Sequence, residues 1–167
     1  MDQAYQFENG LREMLPRLRR YAHALSRDGA DADDLVGQAI ERALRSREQW
    51  QPGTRLDSWL YRIVRNLWID ETRSRARRAK VELPPEAGEA AGYDPRPGTE
   101  AAIDLGRVMD AMTRLPDEQR EVVALILVEG FGYREAAELL ELPVGTVSSR
   151  LVRGRNALLA MLGEDMK

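Results

Sequence analysis

Cysteine is absent from this chain of 167 residues, histidine occurs once, and phenylalanine only twice. Without thiols there can be no disulfide, no thiolate nucleophile and no Cys-based zinc site. A lone His23 also excludes a His-dominated metal centre, and no Asp/Asn/Gly loop of calcium-binding spacing occurs. No cofactor is therefore expected. His23 has no evident nucleophile partner, so no catalytic residue is nominated and the chain reads as a non-enzyme. No apolar run approaches the ~18 residues of a membrane span. The N-terminal MDQAYQFENG is polar and acidic, unlike a secretory signal. These absences point to a cytoplasmic protein without membrane insertion.

What is present is a 43% hydrophobic fraction, enough for packed cores, and a net charge of −3 that hides strong segregation. From Gly53 to Lys80 eight cations face three anions, whereas from Glu82 to Asp104 six anions face one cation. Such alternation suits several distinct contact surfaces. Within the acidic block, Leu83–Thr99 (LPPEAGEAAGYDPRPGT) carries four prolines and three glycines with almost no large apolar residue, and reads as a linker. The expected architecture is all-α: a helical domain over 1–80, a flexible acidic linker over 81–100, and a second helical domain over 101–167.

In the first domain, Phe7, Leu11, Met14, Leu18, Tyr21 and Leu25 recur at steps of three and four. Pro16 predicts a break near Met14–Pro16. A second helix is expected from Asp31, acting as its cap, to about Arg47. Thr54 with Asp57 predicts a capping box for a third helix through about Arg78. In the second domain, one stripe runs Ala102, Leu105, Val108, Met109 and Met112. A helix over about 117–129 ends at Gly130-Phe131-Gly132; VVALILV at 122–128 fits a buried helix better than a strand. Tyr133–Leu162 then reads as a short helix, a tight turn and a longer helix with arginines and no acid from Pro143 to Leu162. That is the geometry that sets a rod in the DNA major groove.

On a helical wheel, Val144, Val147, Leu151, Leu158 and Leu162 share the inner side of the last helix, with Gly154 among them. Ser149, Val152, Arg153 and Asn156 lie opposite, with Thr146 and Ser148 at the edges and Arg150 and Arg155 on the flanks. Base edges would meet the outer face and phosphates the flanking arginines; the plainer alternative is an amphipathic surface helix with solvated arginines. On the third helix, Leu56, Trp59, Leu60, Ile63, Val64 and Leu67 cluster on one side. Arg62, Asn66, Ile69 and Arg73 line the other, with Arg65 beside them. Next to a loop bearing Trp50, this stripe suits a phosphate backbone with unstacked bases, against the alternative of a solvated face and buried tryptophans. The second helix turns Leu35, Val36, Ala39, Ile40 and Ala43 inward. Its ridge of Asp34, Gln38, Glu41 and Arg45 suits a protein partner, or merely solvent.

At these residues the chain resembles the extracytoplasmic-function (ECF, group IV) sigma factors of bacterial RNA polymerase. The match rests on DADDLVGQAIERAL (31–44), GTRLDSWLYRIVRNLWIDETRSRARR (53–78) and LPDEQREVVALILVEGFGYREAAELLELPVGTVSSRLVRGR (115–155). The resemblance implies core-polymerase docking through Asp33, Asp34, Leu35, Val36 and Gln38. It implies −10 promoter contacts through the Trp50–Ser58 loop, including Arg55, and through Arg62, Arg65, Asn66 and Arg73. It implies −35 contacts through Thr146, Ser148, Ser149, Arg150, Val152, Arg153 and Arg155. The partners implied are core RNA polymerase, promoter DNA and an anti-sigma factor, with the acidic linker threading the polymerase near the RNA exit path. Three departures stand out: Gly37 where a larger residue is common, Glu141 at a turn position often held by glycine, and Ser148 in place of a basic residue. Two rival readings remain: a sigma mimic that sequesters an anti-sigma factor, and an ordinary helix–turn–helix repressor or activator.

Overall fold

A computed structural model describes residues 2–81 and 100–164, with backbone alone for 101–103. The expected linker and its acidic block fall largely outside the described residues. Among those described there is no strand. The elements are α1 (Gln3–Leu25), α2 (Gly29–Arg45), a 3-10 turn (Arg47–Gln49), α3 (Leu56–Ala79), α4 (Glu100–Arg114), α5 (Asp117–Val123), α6 (Tyr133–Leu140) and α7 (Val144–Glu164). A π turn, Ala124–Val128, extends α5.

Helix α1 starts where the Asp2 carboxylate accepts from Ala4 N at 3.2 Å, and it runs through Pro16 without the break expected there. Proline removes one i→i−4 bond. The continuous stripe from Phe7 to Leu25, buried along its whole length, holds the helix together across that gap. The cap of α2 is Asp28, accepting from Ala30 N at 2.9 Å, and Asp31 sits in the first turn instead. The capping box at Thr54–Asp57 does not form: the Thr54 hydroxyl turns back to the Gln51 carbonyl, and Asp57 accepts from Ser58 N at 2.7 Å. In both cases a nearer hydrogen-bond partner overrides the sequence pattern.

Helices α1–α3 pack against one another, as do α4–α7. The two sets share one continuous buried core, joined by an aromatic chain in which Tyr21 meets Tyr61 and Tyr61 meets Phe131, each edge-on with centroids 4.9 Å apart. Arg120, 1% exposed, is a second joint. It donates to the carbonyls of Met112 (2.8 Å), Thr113 (3.0 Å), Leu115 (2.5 Å) and Leu25 (3.2 Å), and to Asp117 (3.0 Å). The last carbonyls of α4 have no intrahelical donors, so one guanidinium satisfies them and ties them to the end of α1.

Candidate nucleic-acid interface

Helix α6 ends at Glu141, whose φ of 56° and ψ of 45° place it in the left-handed region. The chain then reverses: Leu142 N donates to the Ala137 carbonyl at 3.0 Å, and Thr146 N and Val147 N both donate to the Pro143 carbonyl. The reversal sets α7 across α5 and α6. Val147, Leu151, Gly154 and Leu158 are buried, and a Cβ on Gly154 would lie 2.7 Å from Val123 Cγ2. Two positions expected inside are not fully so: Val144 is exposed and Leu162 half-buried.

Opposite this packed side, Ser149, Val152, Arg153, Arg155 and Asn156 are exposed, and Thr146 and Ser148 are half-buried at the edge. The Ser149 hydroxyl donates to the Thr146 carbonyl at 3.1 Å. Val152 is 54% exposed, an apolar group set among polar ones on a surface, as contact with a thymine methyl requires. Arg150 departs from the expected flank: it is half-buried and its guanidinium lies 3.8 Å from Glu118 of α5.

On α3, Arg62, Asn66 and Arg73 are exposed along one stripe. The arginines at its upper end are engaged. Arg55 pairs with Asp57 at 2.9 Å and with Glu135 at 2.6 Å, Arg62 reaches the Glu138 carbonyl at 3.5 Å, and Arg65 pairs with Glu121 at 3.1 Å. These hydrogen bonds raise the Arg55 pKa further and, from the other side, lower that of Asp57. Burial pushes the Glu121 carboxyl up, with Arg65 opposing. Trp50 does not lie on the surface as expected for a base-stacking residue. It is 8% exposed and packs on Phe7 with ring centroids 5.8 Å apart, because α1 covers it. Trp59 is half-buried against Phe7.

On α2, Asp33, Asp34 and Gln38 form an exposed ridge, with Asp33 3.5 Å from His23. Leu35 and Val36, expected at the docking surface, are buried and support the ridge from beneath. At Gly37 a Cβ would meet open space. The sequence reading missed Glu129, Tyr61, Glu121 and Arg120, all buried between the two halves, and the exposed Arg20 that pairs with Glu129. One signal was available for Glu121 and Glu129, which are acids abutting the apolar run VVALILV.

The arrangement defines a helical DNA reader: a helix–turn–helix with an outward polar face, joined to a second helical unit with an arginine stripe. Sequence comparison matches Sigma-70 region 2 to residues 11–78 and Sigma-70 region 4 to residues 105–158. The ECF RNA polymerase sigma factor EcfG of Rhodopseudomonas palustris is 36% identical over 151 residues, covering 90% of this chain and 82% of that one. Sigma factor RpoE of Bartonella quintana, solved with the anti-sigma factor NepR, superposes with a TM-score of 0.83 at 30% identity over 95% of this chain and 97% of that one. CnrH, solved with the cytosolic domain of CnrY, gives a TM-score of 0.68 at 25% identity, over 95% and 88% of the two chains. The chain belongs to the ECF RNA polymerase sigma factors.

Proposed function

We propose that the chain binds core RNA polymerase and directs promoter-specific initiation, α7 reading the −35 element and α3 the −10 element. The observation that carries this reading is the α7 surface, where Ser149, Val152 and Arg153 stand exposed on a helix whose other side is locked into α5 and α6. A base-reading helix needs that rigidity. The exposed stripe Arg62, Asn66 and Arg73 supports the −10 assignment, and the ridge Asp33, Asp34 and Gln38 supports polymerase docking. The polymerase supplies the chemistry, in the cytoplasm. Regulation by an anti-sigma factor follows from the likeness to RpoE and CnrH, each solved with a protein partner.

The test is run-off transcription with purified core polymerase on promoters selected by the chain. Promoter-dependent product is expected, and its absence on every template would favour the sigma mimic. Arg153→Ala should weaken initiation by about 1–3 kcal/mol on the selected −35 sequence and much less on scrambled ones. Equal loss on both would make Arg153 a phosphate contact.

A further inference from the structure

The three arginines of α7 are not equivalent. Arg153 and Arg155 are exposed, and neither has an ion pair among the described residues. Arg150 lies on the flank that faces α5. Its side chain is only 23% exposed, and its Nη2 lies 3.8 Å from Oε2 of Glu118, an exposed acid in the first turn of α5. One turn further along α5, Glu121 is buried, and its carboxyl also feels the charge of Arg150. Glu121 is in turn matched by Arg65 of α3 at 3.1 Å. This flank therefore sets two cations against two anions. Since α7 has no acid of its own from Pro143 to Leu162, both anions come from α5. Ser148, half-buried at the edge of the reading face and standing in place of a basic residue, leaves the same helix with one cation fewer.

Affinity for a DNA backbone follows the charge set against its phosphates, because each neutralised phosphate releases a counterion. A phosphate about 4 Å from Arg150 stands within roughly 8 Å of Glu118, inside the ~10 Å Debye length at 0.1 M salt. Attraction by the one and repulsion by the other then nearly cancel. An exposed ion pair is weak, but the cancellation needs no strong pair. It needs only that the acid stay beside the cation, and the packing that covers most of Arg150 keeps it there. We propose that Glu118 withholds Arg150 from the DNA backbone, leaving Arg153 and Arg155 to make the cationic contacts of α7. The inference rests on the −35 reading of α7 and names a residue that sets how tightly that site holds any duplex. Backbone contacts carry no sequence information, so withholding one lowers affinity for every duplex by the same factor. The stay of α7 on bulk DNA is shortened, and stable promoter binding falls to the further contacts made with polymerase.

The test measures binding of the full chain to a duplex bearing the selected −35 sequence and to a scrambled duplex, by fluorescence anisotropy over about 50–200 mM salt. In Glu118→Gln the plot of log affinity against log salt should steepen by about 0.9, the slope of one phosphate contact. At ~0.1 M salt its affinity should rise about five- to tenfold, and equally on both duplexes. Arg150→Gln alone should leave slope and affinity nearly unchanged, and the double variant should lose the gain of Glu118→Gln. An unchanged slope in Glu118→Gln would overturn the proposal. An equal gain in the Arg150→Gln background would also overturn it, by making Glu118 a general repulsion rather than a restraint on Arg150. Should Arg150→Gln prevent folding, Arg150→Met, which keeps a packed stem without the charge, takes its place. If the wild type holds both duplexes equally and Arg153→Ala loses equally on both, the −35 reading itself fails, whereas an unchanged slope removes only the role of Glu118.

Discussion

Glu141 pays a backbone penalty that glycine would not, because its Cβ is crowded at a φ of 56°. Glu141→Gly should stabilise the chain by about 1 kcal/mol, read as a higher urea midpoint. Gly154 is the reverse case. A Cβ there would meet Val123 Cγ2 at 2.7 Å and Gln119 Cβ at 3.3 Å, so Gly154→Ala should destabilise by about 1–3 kcal/mol through overpacking of α7 on α5. Asp57 gives a pH signature. Arg55 lowers its folded pKa, so its contribution is present above the unfolded value of ~3.9 and is lost as pH falls through the lower folded one. Asp57→Asn should therefore unfold at a lower temperature than wild type at pH 7, with the gap closing toward pH 3. At this scale the sequence was only partly legible. The outward Val152 followed from helical spacing, and the turn position of Glu141 from the resemblance. The burial of Trp50 did not, because its cover, Phe7, is more than forty residues away in the chain.

Among the elements, the joint between α4 and α5 depends on Arg120. Arg120→Met should cost about 3 kcal/mol or more, since several buried carbonyls lose their donor at once. Arg120→Lys should not restore the loss, as an ammonium lacks the planar fork that reaches Met112, Leu115 and Leu25 together. Thermal unfolding of the three proteins side by side decides this. The helices themselves were readable because apolar residues recur at helical spacing over long stretches. Their ends were less so: Pro16 fails to break α1, and Asp28 outcompetes Asp31 as a cap. Capping depends on local backbone geometry that composition does not encode, and the stripe on α1 outweighs one missing hydrogen bond.

At the scale of the molecule, the two halves meet through Tyr61, Phe131 and Glu129 rather than standing apart. Small-angle scattering on the free chain should give a radius of gyration near the ~15 Å of a compact chain of this length, and a value many ångströms larger would mean that the halves stand apart in solution. The sequence carried little trace of this packing beyond the two acids, Glu121 and Glu129, that abut the apolar run VVALILV. Its determinants are single acids and arginines on four different helices, individually indistinguishable from solvated charges. The two helical units and the exposed face of α7 were legible because each is written within one continuous stretch.

The π turn at Ala124–Val128 carries one residue more than a regular helix of the same hydrogen-bonding plan. It acts as a phase shifter. Upstream, α5 keeps the register that packs it on α7; downstream, the chain is rotated by one residue's worth of helix, about 100°, and that rotation aims Glu129 at Arg20. Leu127 within the turn is exposed, and deleting it would restore the ordinary period. A one-residue deletion would turn Glu129 away from Arg20 and re-aim α6 and α7, which follow the turn in the chain. The length of a single turn thus sets whether the Glu129 carboxylate meets the guanidinium of Arg20.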